Sequence, residues 1–170
     1  MRFVIEGKPV PKGRPRFTRK GVAYTPDQTK AFEKHVNLCA RVSQARCGDS
    51  PCNSPCIVFI TSVFEAPASW PKGKRERARQ GLEFMTSKPD IDNLIKAVLD
   101  GAQGEGAAFN DDRQVIAVVA LKMYGKKAGT LVDVIPVEAT EDMLQSDGES
   151  HPVLQGLIWK LLIQKELNAS

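Results

Sequence analysis

The chain has 170 residues, 42% of them hydrophobic and 26% charged, with a formal net charge of +4. This length suits one domain with a sizeable core, and the composition is that of an ordinary globular protein rather than a disordered or fibrous one. No apolar run reaches the length of a membrane span, and residues 1–6 are too short and too soon charged for a signal peptide. We therefore expect a cytoplasmic protein with no membrane partner.

The first part of the chain predicts a strand followed by a basic arm. Residues 2–6 are interpreted as the strand. Residues 7–22 cannot form a regular central strand, because Pro9, Pro11 and Pro15 lack the backbone N–H that a ladder needs. This stretch is therefore expected to be an extended or looped arm.

A long helix is predicted next, and it has its own start signal. Thr25 suits an N-cap, Pro26 suits the first helical position, and Gln28 would close a capping box. The helix is expected to continue to about residue 45. The side chains expected on its buried face are Phe32, Val36, Cys39 and Val42.

The middle of the chain predicts a buried strand and a short helix. Residues 57–64 are apolar enough for a central strand, and residues 75–81 after a proline-punctuated loop are expected to form a short helix. Four cysteines lie nearby, but they lack the paired spacing of common zinc modules. Reduced, partly buried thiols are the better interpretation in a cytosolic chain. These cysteines are Cys39, Cys47, Cys52 and Cys56.

Basic side chains are concentrated in the arm, in residues 72–79 and in a loop near residue 126. Such patches neutralise phosphates and make binding depend on salt, although solvated loops of a mildly basic protein are the competing interpretation. The candidate DNA-binding residues are Lys8, Lys12, Arg14, Arg16, Lys72, Lys74, Arg75, Lys126 and Lys127.

The stretch 88–96 places two carboxylates at the start of a predicted helix over residues 93–100. Asp90 and Asp92 are two residues apart, and Lys96 follows one helical turn later. A second acidic pair, Asp111 and Asp112, precedes an apolar strand. Mg²⁺ prefers oxygen ligands and usually takes one or two carboxylates together with water and substrate phosphate. The pattern favours a metal site for phosphate chemistry.

Each acidic residue also has a purely structural interpretation. Asp90 or Asp92 could cap the helix, and Asp92 with Lys96 could be an ordinary i,i+4 surface pair. Asp111 and Asp112 could be turn residues ahead of the strand. The spacing alone leaves the two interpretations evenly balanced.

The last part of the chain predicts two strands, a linker and a helix. Residues 115–124 and 130–137 are interpreted as strands joined in a hairpin. Residues 139–150 form an acidic linker, and residues 151–167 form an amphipathic helix that packs on the sheet or adds to a dimer interface. The order of elements predicts an α+β fold: one layered domain with a mixed β-sheet packed against helices, plus a C-terminal helical extension.

The run from Pro89 to Lys96, the aspartates at 111 and 112, and the basic opening together resemble the RusA-type Holliday-junction resolvases. The resemblance covers about residues 1–138, and it implies a Mg²⁺-dependent endonuclease, with Mn²⁺ as a substitute, that acts as a homodimer on four-way DNA. It implies no nucleotide cofactor, and a bacterial or phage-encoded protein. The implied catalytic residues are Asp90, Asp92, Lys96 and Asp112, and the implied metal ligands are Asp90, Asp92 and Asp112, with Asp111 the weaker match.

Two other functions stay open at this point. A nuclease for flaps or general branched DNA would use the same residues, because the sequence does not encode substrate geometry in a readable way. A non-catalytic DNA-binding module would use the aspartates as caps and the basic arms for affinity. The response of Asp90→Asn in cleavage and in binding separates the second function from the nucleases.

Overall fold

The computed structural model describes residues 1–19, 21–48 and 50–137, without the side chain of Arg16. The predicted linker over 139–150 and the predicted helix over 151–167 lie outside these residues. The described residues up to Pro136 belong to one compact unit, Met1–Pro136, and the domain boundary placed after residue 138 stays a prediction. Within the described part, no helix is both long and apolar enough to span a membrane.

Six strands and three helices make up the described fold. The order β1-β6-β4-β5 defines a four-stranded mixed sheet, in which only β4 and β5 run parallel, and β2 and β3 form a separate two-stranded ribbon within the arm. The predicted α+β class is confirmed. The strands are β1 (Arg2–Glu6), β2 (Arg16–Phe17), β3 (Ala23–Tyr24), β4 (Cys56–Glu65), β5 (Val115–Gly125) and β6 (Gly129–Pro136), and the helices are α1 (Asp27–Cys47), α2 (Lys72–Arg79) and α3 (Ile91–Ala102).

The hairpin predicted between β5 and β6 is wrong, because β4 lies between these two strands. β4 pairs in parallel with β5 on one side and antiparallel with β6 on the other. Its sequence is an almost continuous apolar run, which suits the interior of a sheet better than an edge. The connection over residues 126–128 therefore passes across the end of β4 instead of closing a tight turn.

The start predicted for α1 is also wrong in its capping detail. Pro26 is the N-cap residue, and no side chain caps the helix there. The hydroxyl of Thr29 instead accepts a hydrogen bond of 3.1 Å from the backbone N–H of Gly13, which ties the arm to α1. The buried face follows a 3.6-residue period that leaves Cys39 half-buried and Val42 exposed. Its members are Thr29, Phe32, Val36, Ala40 and Gln44.

The helices α1 and α3 pack side by side on one face of the sheet. Gly101 makes this approach possible, because a Cβ atom there would lie 2.7 Å from the Glu33 carbonyl oxygen and from the Val36 Cβ. The Asn37 side-chain amide donates to the carbonyls of Gly101 and Gln103 at the end of α3. The principal core lies between these helices and alternate side chains of the strands, including Ile5, Val58, Ile60, Val98, Phe109, Val132 and Val134.

A second, smaller core lies at one end of the sheet. It joins the start of α3 to α2 and to the ends of β4 and β5 through Leu94, Ala78, Phe64, Tyr124 and Met85. Because this cluster fixes α2 and the loop before α3 together, the basic helix and the acidic motif lie at the same end of the molecule. We call this the motif end.

Candidate active site

The two carboxylates of the acidic motif are exposed and take no part in capping α3. Asp90 is the N-cap residue by position, but its side chain makes no cap hydrogen bond. Asp92 lies in the first turn, and its carboxylate meets only the Asn93 amide at 3.4 Å. The free N–H groups of a helix start, together with the macrodipole, favour negative charge at this position. Both side chains are therefore available to an external cation.

Lys96 lies one turn after Asp92 on the exposed side of α3. Among the described residues its ammonium forms no ion pair, so the i,i+4 partnership with Asp92 that the spacing allows is not made. A protonated lysine cannot ligate a cation but can donate to phosphate oxygens.

The loop before the acidic motif is held by a lysine that sequence reasoning missed. Lys122, on β5, donates to the carbonyl oxygens of Ser87 and Pro89 at 2.7 and 2.8 Å. These bonds fix the backbone immediately before Asp90. The signal in the sequence was a lysine within an otherwise apolar strand. In the structure this lysine pairs in register with buried Ser62, on the face of the sheet that the helices cover.

The basic arm lies next to the acidic motif. Lys8, Arg14 and Lys88 line a groove of about 680 Å³ together with Asp90. An adjoining hollow of about 710 Å³ shares Lys8 and adds Lys127 from the β5–β6 connection. The Lys127 ammonium also meets the Glu6 carboxylate at 2.8 Å, an exposed pair of small energetic value. Cationic side chains thus border the carboxylates on the side of the arm.

Lys12 has a different environment from its neighbours in the arm. Its ammonium lies 2.5 Å from both the Glu33 carboxylate on α1 and the Asp100 carboxylate on α3. Burial lowers the pKa of Lys12, but the hydrogen bonds to Asp100 and Glu33 outweigh it and the pKa is raised. This gives Lys12 a structural role that the sequence did not indicate, and its contact with DNA stays a prediction.

The basic helix α2 presents its charges at the motif end. The Lys74 ammonium lies 4.0 Å from the centre of the Trp70 ring, and Trp70 meets Tyr124 edge to face with 5.2 Å between centroids. Lys72 and Arg75 form no ion pair among the described residues. Of the remaining candidates, Lys126 is exposed, and Arg16 lies on β2 with its side chain outside the description.

The two residues of the second acidic pair, Asp111 and Asp112, have different environments. Asp111 caps the 3₁₀ turn Asp112–Gln114 in a complete capping box and accepts three hydrogen bonds from Arg113 at 2.8 to 2.9 Å. The side-chain hydrogen bond from Arg113 is the main reason that the pKa of Asp111 is held well below its usual range. Asp112 is exposed. The turn interpretation therefore describes Asp111, whereas the Asp112 carboxylate is left available.

Asp112 lies at the opposite end of the chain's own sheet from Asp90. The twelve residues of α3 span about 18 Å and end beside Phe109, close to this turn. The seven positions from Val115 to Lys122 on β5 give a similar separation of about 23 Å. Within the described residues, no three carboxylate, histidine or cysteine side chains form a potential metal cluster. One chain thus brings Asp90, Asp92 and Lys96 together, and holds Asp112 apart.

The sequence of this fold matches a known family. A family model described as endodeoxyribonuclease RusA matches residues 6–135, which include the arm, the acidic motif and the Asp111–Asp112 pair. The chain belongs to the RusA endodeoxyribonuclease family. The uncharacterized protein YqaN of Bacillus subtilis (strain 168) is 32% identical over 144 residues, which cover 82% of this chain and 98% of that protein. Membership of the RusA family implies an endodeoxyribonuclease activity and the binding of DNA junctions.

Proposed function

We propose that this RusA-family protein is a divalent-metal-dependent endonuclease that resolves four-way DNA junctions by paired, symmetric phosphodiester cleavage. The observation that carries the proposal is the exposed group of Asp90, Asp92 and Lys96 at the start of α3, next to cationic side chains at the motif end. The family match supplies the substrate class. The free carboxylates and lysine supply the means of cleavage.

The donor set fits a hard divalent cation such as Mg²⁺, with Mn²⁺ as a substitute. Asp90 and Asp92 offer anionic oxygens that no cap or ion pair occupies among the described residues. Mg²⁺ takes one or two carboxylates and completes its octahedron with water and phosphate oxygens, so Asp90 and Asp92 would ligate it and Asp112 would supply a further carboxylate. When bound, such a cation lowers the pKa of water and stabilises charge on the scissile phosphate.

The other residues bind and orient the DNA. Lys96 donates to an oxygen of the scissile phosphate and stabilises the charge that develops there. Lys8, Arg14 and Lys127 neutralise flanking phosphates along the arm, and Lys72, Lys74 and Arg75 do so along α2. Lys122 keeps the loop before Asp90 in place through its two backbone contacts, so the carboxylates meet the phosphate in one geometry.

A homodimer is part of the proposal, and the separation of Asp112 from Asp90 gives it a structural reason. A two-fold axis near the middle of β5 would place the start of one β5 beside the end of the other, and most soluble oligomers have such symmetry. The partner's Asp112 could then join Asp90 and Asp92. The sheet face opposite the helices offers an apolar surface for this contact, with Val119 and Leu121 of β5 36% and 54% exposed.

The first test uses full-length protein and an end-labelled four-way junction. With Mg²⁺ we expect symmetric nicks in two opposing strands, and with EDTA none. Asp90→Asn serves as the catalytically inactive control. A panel of flaps, nicks and three-way junctions at equal concentration distinguishes a resolvase from a broader branched-DNA nuclease. Intact junctions throughout a metal titration, with folded protein, would contradict the proposal.

A second test asks whether two chains complete one site. Asp90→Asn protein and Asp112→Asn protein, each expected to be inactive alone, are mixed and allowed to exchange subunits. If the site draws Asp90 and Asp112 from different chains, each mixed dimer has one intact site and one doubly altered site, so nicking of a single strand returns. If each chain completes its own site, mixing restores nothing.

A further inference from the structure

The loop between α2 and the acidic motif presents a phenylalanine to solvent in a way that the cleavage chemistry does not require. Phe84 is 89% exposed, the most exposed of the large apolar side chains described, and Leu82 two residues before it is 59% exposed. Isolated apolar side chains are common on protein surfaces, so exposure alone decides nothing. The anchoring of the loop on both sides of Phe84 is the additional observation.

The residues that flank Phe84 are fixed. On one side, the Leu82 N–H donates to the Arg77 carbonyl at 2.9 Å, and Glu83 accepts a 2.9 Å hydrogen bond from the Arg77 guanidinium. On the other side, Met85 is buried in the small core at the motif end. A residue between two anchored neighbours loses little backbone freedom when a partner covers its side chain. Phe84 is therefore a pre-organised contact rather than part of a loose loop.

The surroundings of Phe84 are those of a nucleic-acid surface. The preceding helix α2 carries five basic residues in eight, and Lys88 follows four residues after Phe84. Protein–protein interface cores are depleted of charged residues, whereas surfaces for unpaired nucleic acid combine cationic grooves with aromatic platforms. Asp90 lies six positions after Phe84, at most about 20 Å along the chain. A base on Phe84 would thus lie within a few nucleotides of the scissile phosphate.

We propose that Phe84 stacks on a nucleobase exposed at the branch point of the DNA, with Leu82 beside it as an apolar wedge. This deepens the proposed junction-resolving function and rests on it for the substrate. At a branch point a base pair loses its stacking neighbour on one face once the arms open, and an aromatic ring can take that neighbour's place. Apolar wedges inserted between base steps serve the same purpose in proteins that kink DNA. Continuous duplex offers no such face.

The experiment compares binding to a four-way junction and to a duplex of equal length, by fluorescence anisotropy in EDTA. Phe84→Ala is expected to weaken junction binding by roughly 5- to 150-fold, the effect of 1 to 3 kcal/mol per stacked base, while duplex affinity changes little. Phe84→Tyr and Phe84→Trp should keep the wild-type preference. Leu38→Ala, on α1, removes an apolar side chain that is 59% exposed like that of Leu82, and this control should change neither affinity.

A photochemical readout identifies the contact itself. A junction with 5-iodouracil at the branch-point positions should crosslink to the wild-type protein through the peptide that contains Phe84, and Phe84→Ala should lose that crosslink. An unchanged junction-to-duplex ratio for Phe84→Ala, or a shift of that variant from dimer to monomer in light scattering, would overturn the proposal. Binding in EDTA is independent of cleavage, so a protein that prefers junctions through Phe84 but cuts nothing would contradict the nuclease proposal alone.

Discussion

The two acidic pairs of this protein look alike in sequence and differ in what surrounds them. At Asp90 and Asp92 the carboxylates stand at the start of a helix without serving it as caps. At the 3₁₀ turn, the carboxylate oxygens of Asp111 accept hydrogen bonds in a capping box and from Arg113, and of this pair only Asp112 is left free. A carboxylate is available for chemistry when local structure has not already used its oxygens.

The largest expected effect is at the motif end. Asp90→Asn or Asp92→Asn should lower the cleavage rate by about 10³-fold or more, since a lost ligand removes several kcal/mol of metal-borne charge stabilisation. Junction binding should be retained or tightened, because one negative charge facing phosphate is gone. Gel-based cleavage and anisotropy measure the two. Glu105→Gln, an exposed carboxylate outside both pairs, is the control, and a parallel loss of binding would mean that the aspartates are structural.

Lys96→Ala should come next, with a cleavage loss of roughly 10²- to 10³-fold, similar to the loss of one preorganised donor to a developing charge. The apparent metal affinity, from the Mg²⁺ dependence of the rate, should change little because the ammonium is no ligand. Lys34→Ala removes an exposed lysine from α1 and should leave cleavage intact. Near wild-type turnover in Lys96→Ala would show that the lysine is only a surface residue.

The two members of the second acidic pair should respond differently to substitution by Asn. Asp112→Asn should abolish cleavage at an unchanged melting temperature, whereas Asp111→Asn should lower the melting temperature and reduce cleavage less. Asn keeps an oxygen for the cap but loses the ion pair with Arg113. Since the folded-state pKa of Asp111 is depressed, its contribution to stability is present above its unfolded pKa and falls as the pH drops through the folded value. Thermal melts of wild type and Asp111→Asn should therefore converge under acid conditions.

Much of the fold follows from local pattern. The strand over β4, the helix over α3 and the α+β class all agree with the structure, because each depends on apolar periodicity or on a run of apolar residues. The β5–β6 hairpin fails for the opposite reason. Strand adjacency is decided by which strand is apolar enough to take the centre of the sheet, and that competition involves residues more than fifty positions apart.

In the candidate site, too, the features set by neighbouring residues could be predicted and those set by distant segments could not. The acidic motif and Lys96 lie within about two turns of one helix, so their proximity can be predicted. The distance between Asp90 and Asp112 depends on the direction in which β5 and α3 cross the molecule. The contacts of Lys12 with Glu33 and Asp100, and of Lys122 with the loop before Asp90, join distant segments and leave no local signal.

The arm offers a finer comparison between cations that look equivalent in sequence. Removing the charges of Lys8 and Arg14 together should reduce the slope of log affinity against log salt by about 1.8, or 0.9 per lost phosphate contact with duplex arms. Lys12→Met should change the slope less, since its ammonium already has two carboxylate partners. Anisotropy titrations at four salt concentrations measure both. A reduction of about 0.9 for Lys12→Met, equal to the change per residue in the double variant, would show that Lys12 leaves its carboxylates to meet phosphate.

The smallest expected effect is on folding and comes from the same Lys12. Its ammonium, only 22% exposed, joins α1 to α3, and Lys12→Met leaves Glu33 and Asp100 without a counter-ion. Losing hydrogen bonds to charged groups should cost about 2 kcal/mol, or roughly 4 to 8 °C in melting temperature. Lys8→Met, in the exposed part of the arm, is the matched control and should melt like wild type.

The pH dependence of that difference identifies its cause. The folded-state pKa of Lys12 is raised above its ordinary value of 10.5, so its stabilising contribution is fully present below that value and is lost as the pH rises through the folded pKa. The gap between wild type and Lys12→Met should stay constant from about pH 7 to 9 and close only in stronger alkali. A gap that instead persists at high pH would mean that the charge of Lys12 is not what stabilises the fold. In that case the ammonium could leave Glu33 and Asp100 for a phosphate without a loss of folding stability.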